Sequence, residues 1–207
     1  MNSFTRRLQL QGAAGAIDVL RDDPEGATHG IAFIAHPHPL FGGTMDNKVV
    51  QTLARAFVQA GWSAVRFNFR GVGGSAGEHD EGRGETDDML SLVSQVAPEG
   101  PIALAGFSFG AFVASRALQA LWPAREIKKV VLVGTAAARF EVSAIPPDAH
   151  DRTLVLHGEQ DDTVALSAVM EWARPQALPV TVVPGGGHFF HGQLPLLKSL
   201  VARHLRS

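Results

Sequence analysis

The chain has 207 residues, 45% of them hydrophobic and 18% charged, with a formal net charge of -2 and no cysteine. This composition supports a sizeable core and excludes global disorder, disulfides and thiolate chemistry, and the basic surface of a nucleic-acid binder. No apolar run approaches the roughly 18 residues of a membrane helix. The residues after Arg7 alternate apolar with polar instead of forming a signal-peptide core, so a cytoplasmic protein with no membrane association is expected.

Residues 4–10 and 16–20 alternate apolar and polar side chains around Gly12 and Gly15, which predicts an antiparallel hairpin. Residues 30–35 (GIAFIA) form a short buried-strand run, and 47–59 carry helical periodicity that stops before Gly61. A strand is expected over 62–69. A glycine-rich, charged stretch at 70–84 follows, read as a long surface loop, and then a helix over 86–96. Further strands are expected at 102–105, 130–133, 153–156 and 180–183, and further helices at 111–121, 166–173 and 195–205. Strands alternating with helices point to an α/β architecture: a mostly parallel eight-stranded sheet covered on both faces, in one domain spanning 1–207. Residues 134–152 carry no long amphipathic helix, so no substantial lid is expected over a site at that end of the sheet.

Two segments fit G-x-S-x-G. Gly106-Phe107-Ser108-Phe109-Gly110 follows an apolar strand (PIALAG) and opens an amphipathic helix, the strand–turn–helix that exposes a nucleophilic serine. Gly73-Gly74-Ser75-Ala76-Gly77 leads into polar residues with no helix, so Ser75 is set aside. The same absence of a helix argues against a dinucleotide site at Gly71-x-Gly73-x-x-Ala76, and no cofactor is expected. A serine hydroxyl needs a base and an orienting acid. Asp161 follows the strand at 153–156 and His188 the strand at 180–183, so all three residues leave the same end of a parallel sheet in the order serine, acid, histidine. Taken singly, they would read as an N-cap serine, a turn aspartate and a surface histidine.

His36-Pro37-His38-Pro39-Leu40-Phe41-Gly42-Gly43 follows another strand. Such a loop supplies a second amide to an oxyanion hole. Prolines have none, which leaves His38, Leu40 or Phe41. Two histidines around a proline are too few ligands for zinc, and no metal is expected. Phe41, Phe109, Phe189 and Phe190 neighbour these residues in sequence and are candidates for an apolar substrate site, with core packing as the alternative.

In this order, AHPHPLFGGTMDNKVV, NFRGVGGSAG, GFSFGA, HGEQDDTV and GGGHFFHG resemble a bacterial group of small α/β hydrolases, distantly similar to dienelactone hydrolase. The resemblance spans about residues 30–195. It implies the α/β-hydrolase fold with strand order 1-2-4-3-5-6-7-8 and a triad of Ser108, Asp161 and His188. In His157-Gly158-x-x-Asp161-x-x-Val164 it assigns the acid to Asp161, leaving Asp162 to cap a helix beginning near residues 164–166. It suggests the amides of Phe109 and Leu40 as the oxyanion donors. Dienelactone hydrolase uses a cysteine nucleophile, absent here, so its substrate does not carry over. The expectation is a serine hydrolase acting on a small-molecule carboxylic ester. A thioesterase or peptidase with the same triad, and a non-catalytic scaffold, are the alternatives.

Overall fold

The computed structural model describes residues 5–206. Its frame is one eight-stranded sheet in the order β1-β2-β4-β3-β5-β6-β7-β8. β1 (Thr5–Gly12) and β2 (Gly15–Asp22) form the expected antiparallel hairpin, and Phe4, which the alternation puts at its start, lies outside the described residues. β2 also runs antiparallel to β4 (Ser63–Phe67). From β4 onward the sheet is parallel, through β3 (Ile31–Ala35), β5 (Ile102–Phe107), β6 (Ile127–Val133), β7 (Thr153–Gly158) and β8 (Val180–Val183).

Side chains alternate across a strand, so the apolar run of a central strand serves two cores at once. Phe33, Leu104 and Leu132 enter one cluster; Ile34, Ala105 and Val133 enter the other. The first cluster is covered by α2 (Arg83–Val96), α3 (Phe109–Leu121) and α4 (Leu166–Ala173), through Met89, Leu92, Val113, Leu118 and Val169. The second is covered by α1 (Lys48–Gln59) and α5 (Leu194–Arg206), through Val50, Leu53, Phe57, Leu197 and Val201. Asn47 caps α1 by accepting the Val49 N–H at 2.9 Å.

The stretch at 70–84 is a surface loop as far as Gly82, as its composition suggests, but it is not loose. Arg70, Ser75, His79 and Asp80 pair with α2 and with the sheet. The Arg70 guanidinium makes two 2.9 Å hydrogen bonds to the buried Asp88 carboxylate. Buried Glu85 accepts from the Gly82 N–H at 2.8 Å and bonds His79 Nδ1 at 2.7 Å, so α2 begins at Arg83, three residues before its expected start. Ser75 Oγ donates to the Asn68 carbonyl at 2.7 Å and accepts the Asp18 N–H at 2.9 Å. It is a buried stitch between this loop and β2. Between β6 and β7 the only regular element is a 3-10 turn at Pro147–Arg152, and no lid is built there.

Ser75→Ala leaves the buried Asp18 N–H without its acceptor. The expected loss is about 1–3 kcal/mol of stability, read as a lower urea midpoint with an unchanged denaturant slope. An unchanged midpoint would show that the stitch carries no weight.

Candidate active site

β5 ends at Phe107 and α3 starts at Phe109, so Ser108 alone makes the turn. Its backbone stands at φ 57°, ψ -117°, a region L-residues avoid, and its N–H is tied to the Val133 carbonyl at 2.8 Å. Strand and helix pass so closely that a Cβ on Gly106 would lie 2.1 Å from the Gly110 oxygen, and one on Gly110 2.3 Å from the Ala35 oxygen. Both glycines of G-x-S-x-G are therefore steric requirements of the turn.

The loops after β7 and β8 bring Asp161 and His188 to this turn. His188 Nε2 lies 3.0 Å from Ser108 Oγ and His188 Nδ1 lies 2.7 Å from Asp161 Oδ2. All three side chains are buried. The other Asp161 oxygen accepts the N–H groups of Thr163 and Val164 at 3.0 and 2.7 Å. Burial alone would raise the Asp161 pKa. The His188 hydrogen bond, the Val164 N–H and the neighbouring imidazoles outweigh it, and the carboxyl is held below its usual range. An anionic Asp161 keeps the His188 proton on Nδ1 and leaves Nε2 free to accept from the serine hydroxyl. His157, at the end of β7, stands behind this pair. Its Nε2–H donates to the Val164 carbonyl at 2.8 Å and lies 3.5 Å from Asp161 Oδ2, while its Nδ1 is buried without a partner.

A family model described as serine aminopeptidase, S33, matches residues 38–150, just over half of the chain. A Rickettsia prowazekii protein, RP471, is 30% identical over 174 residues, covering 77% of this chain and 71% of its own. Among solved structures, XC6422 from Xanthomonas campestris, an α/β serine hydrolase without lid, is 36% identical with a TM-score of 0.88, covering 100% of this chain and 95% of that one. An α/β serine hydrolase homologue from Coxiella burnetii is 35% identical with a TM-score of 0.84, covering 99% and 98%. The chain belongs to this family of α/β serine hydrolases.

In the hydrolase, a cleft of about 360 Å³ opens on Ser108 and His188. Phe41, Phe109 and Phe189 line it, together with His38, Arg139 and Phe140. Phe140 and Arg139 lie in the loop after β6 and carry no motif, so nothing local in the sequence marks them. A larger depression of about 520 Å³ lies against α1, beside Asp22 and Arg66, and contains none of Ser108, Asp161 and His188.

Three expectations need correction. Phe190 is fully buried among the residues under α5, with φ 51°, and lines no part of the cleft: core packing claims it. Leu40 sits in the 3-10 turn Pro39–Phe41, its N–H donates to His38 Nδ1 at 3.3 Å, and the residue is 69% exposed and outside the cleft. Its amide is spent on the turn. The His38 amide has no partner among the described residues and its residue lines the cleft, as does Phe109, whose amide is equally unpartnered. Asp162 does not cap α4. That helix has Ala165 at its N-cap with no side-chain bond, and Asp162 accepts only from the Thr163 hydroxyl, at 3.3 Å.

His36 is not available to a ligand either. Its Nε2 accepts the Phe69 N–H at 2.9 Å, so Nδ1 carries the proton and donates to the Pro37 carbonyl at 2.6 Å. Among the described residues, no group of three or more His, Cys, Asp or Glu side chains is arranged to hold a metal ion.

Burial holds His36 neutral down to about 4, and burial with the nearby Lys129 charge does the same for His204 in α5. In the unfolded chain a histidine protonates near about 6.5. Between these values the unfolded state binds more protons, so stability is full above about pH 6.5 and declines as pH falls toward about 4. The urea midpoint is expected to drop across that window, with a shallower slope for His204→Gln. A midpoint flat from neutral pH down to the folded-state value would contradict this account.

Proposed function

We propose that the hydrolase cleaves a small carboxylic ester through an acyl-enzyme on Ser108. The observation that carries this reading is the unbroken hydrogen-bond chain from Asp161 through His188 to Ser108, ending at a cleft with two unpartnered amides. Ser108 Oγ attacks the ester carbonyl while His188 Nε2 takes its proton. The amides of Phe109 and His38 receive the oxyanion, the first with the support of the α3 N-terminus. His188 then returns the proton to the leaving alcohol, and water repeats the sequence on the acyl-enzyme. Asp161 holds the imidazole in the tautomer that both half-reactions need.

An ester fits the cleft better than the N-terminus of a peptide. An aminopeptidase has to hold an α-ammonium. Among the described residues no carboxylate lines this cleft, and the one arginine that does, Arg139, would repel that charge. Activated thioesters would use the same mechanism and serve as the comparison substrate. With only a 3-10 turn between β6 and β7 and Phe41 75% exposed, short soluble substrates reach Ser108 directly.

Ser108→Ala is expected to abolish both p-nitrophenyl ester turnover and labelling by a fluorophosphonate, while Ser75→Ala keeps both. Asp161→Asn is expected to lower kcat by up to about 10⁴, because an amide N–H facing Nδ1 favours the tautomer that cannot accept the serine proton. Asp162→Asn is expected to keep activity and to change stability by no more than about 0.5 kcal/mol. Near-normal turnover by Ser108→Ala, or an inactive Asp162→Asn beside an active Asp161→Asn, would sink the assignment.

A further inference from the structure

Resting on that reading, we infer that the cleft selects esters whose acyl group is a planar aromatic ring bearing an anionic substituent, with Arg139 as the partner of the anion. The walls are unusually rich in rings. Phe109 meets Phe140 edge to face at 5.2 Å between centroids, and Phe140 is backed by Phe112 in a parallel stack at 4.9 Å. The His38 ring lies 4.9 Å from Phe109 and 5.8 Å from Phe140. Phe41 and Phe189 line the same cleft while 75% and 43% exposed, so their apolar faces are left in water until something covers them. Ring walls favour a ring in offset or edge-on contact. At about 360 Å³ the cleft lies at the small end of the range for small-molecule sites.

The charge is as one-sided as the surface. The Arg139 guanidinium stands 5.9 Å from the Phe41 centroid and forms no ion pair among the described residues. Among the described residues no aspartate or glutamate lines the cleft. Glu81 and Glu141 line a separate depression beyond Phe140, which Arg139 also borders, and neither comes within ion-pair distance of it. Burial and the adjacent His79 push the His38 pKa down against the pull of Glu85, with a smaller push from Arg139, which leaves Arg139 as the one permanently charged cation among the lining residues. A lone cation beside apolar rings attracts a carboxylate more strongly once a bound substrate displaces the intervening water.

The test reads binding, which needs no turnover. In a Ser108→Ala background, calorimetry at low salt compares the monomethyl ester of benzene-1,4-dicarboxylate with methyl 4-methylbenzoate and with monomethyl adipate. The charged aromatic ester is expected to bind at least about tenfold tighter than either other compound, with the margin over the neutral ester shrinking as salt is added. Arg139→Gln should erase the preference for charge, and Arg139→Glu should invert it; both alter an exposed side chain, so folding is not at stake. Equal affinity for charged and neutral aromatic esters, a preference that survives Arg139→Gln, or adipate binding as tightly as the aromatic ester would overturn the inference. The same selective binding in a wild-type protein that neither hydrolyses the ester nor is labelled at Ser108 would retain the anion site and discard the ester reading.

Discussion

The reversal of the chain at Ser108 is the constraint on which the rest of the structure depends. A non-glycine residue at φ 57°, ψ -117° costs on the order of 1–3 kcal/mol, and it persists because its surroundings leave no alternative. The Ser108 N–H is held by Val133 in β6, Gly106 and Gly110 let β5 and α3 meet at backbone contact, and α3 is clamped under Phe33 and Leu104. Relaxing the turn would lift α3 off the sheet. The strain thus fixes the hydroxyl where both neighbouring loops reach it.

Asp161 shows how the same sheet sets electrostatics. The residue follows a strand end, where the chain turns sharply and presents consecutive N–H groups. Two of them solvate one carboxylate oxygen, which frees the other for His188. The negative charge therefore survives burial without a lysine or arginine beside it. His157 fastens the far side of that turn through the Val164 carbonyl. The loop after β3 is stiffened in a comparable way. His36 bridges the Pro37 carbonyl and the Phe69 N–H, the His38 carbonyl accepts from Phe41 and Gly43, and the His38 amide meets no acceptor among the described residues. Both loops devote polar groups to holding themselves still, which is what a preorganised site requires.

The family relationship and the cleft answer different questions. The match over residues 38–150 and the likeness to a lidless serine hydrolase identify the scaffold and its class of chemistry. The rings and the arginine of the cleft come from the loops that leave the strand ends. Phe41 belongs to the 3-10 turn after β3, and Arg139 and Phe140 to the loop after β6, and binding sites on a shared fold are commonly built from such connections.

The strands, their order in the chain and the serine–acid–histidine succession were legible in the sequence, because each rests on a local rule. Apolar runs of strand length mark β3, β5 and β6. Small residues flank a serine between strand and helix, and residues that follow parallel strands emerge at one end of the sheet. The resemblance added the strand order and the choice of Asp161 over Asp162. Only the tertiary structure decided which polar groups remained free. Leu40 and His38 are equally plausible amide donors along the chain, and the 3-10 turn takes one of them. Phe189 and Phe190 are adjacent and chemically identical, yet a left-handed backbone turns the second into the core under α5. Residues 70–84 read as a loose loop because the partners of Ser75, His79 and Arg70, namely Asp18, Glu85 and Asp88, lie on other elements. In each case the outcome depends on hydrogen bonds and contacts between distant segments, and periodicity along one segment does not encode them.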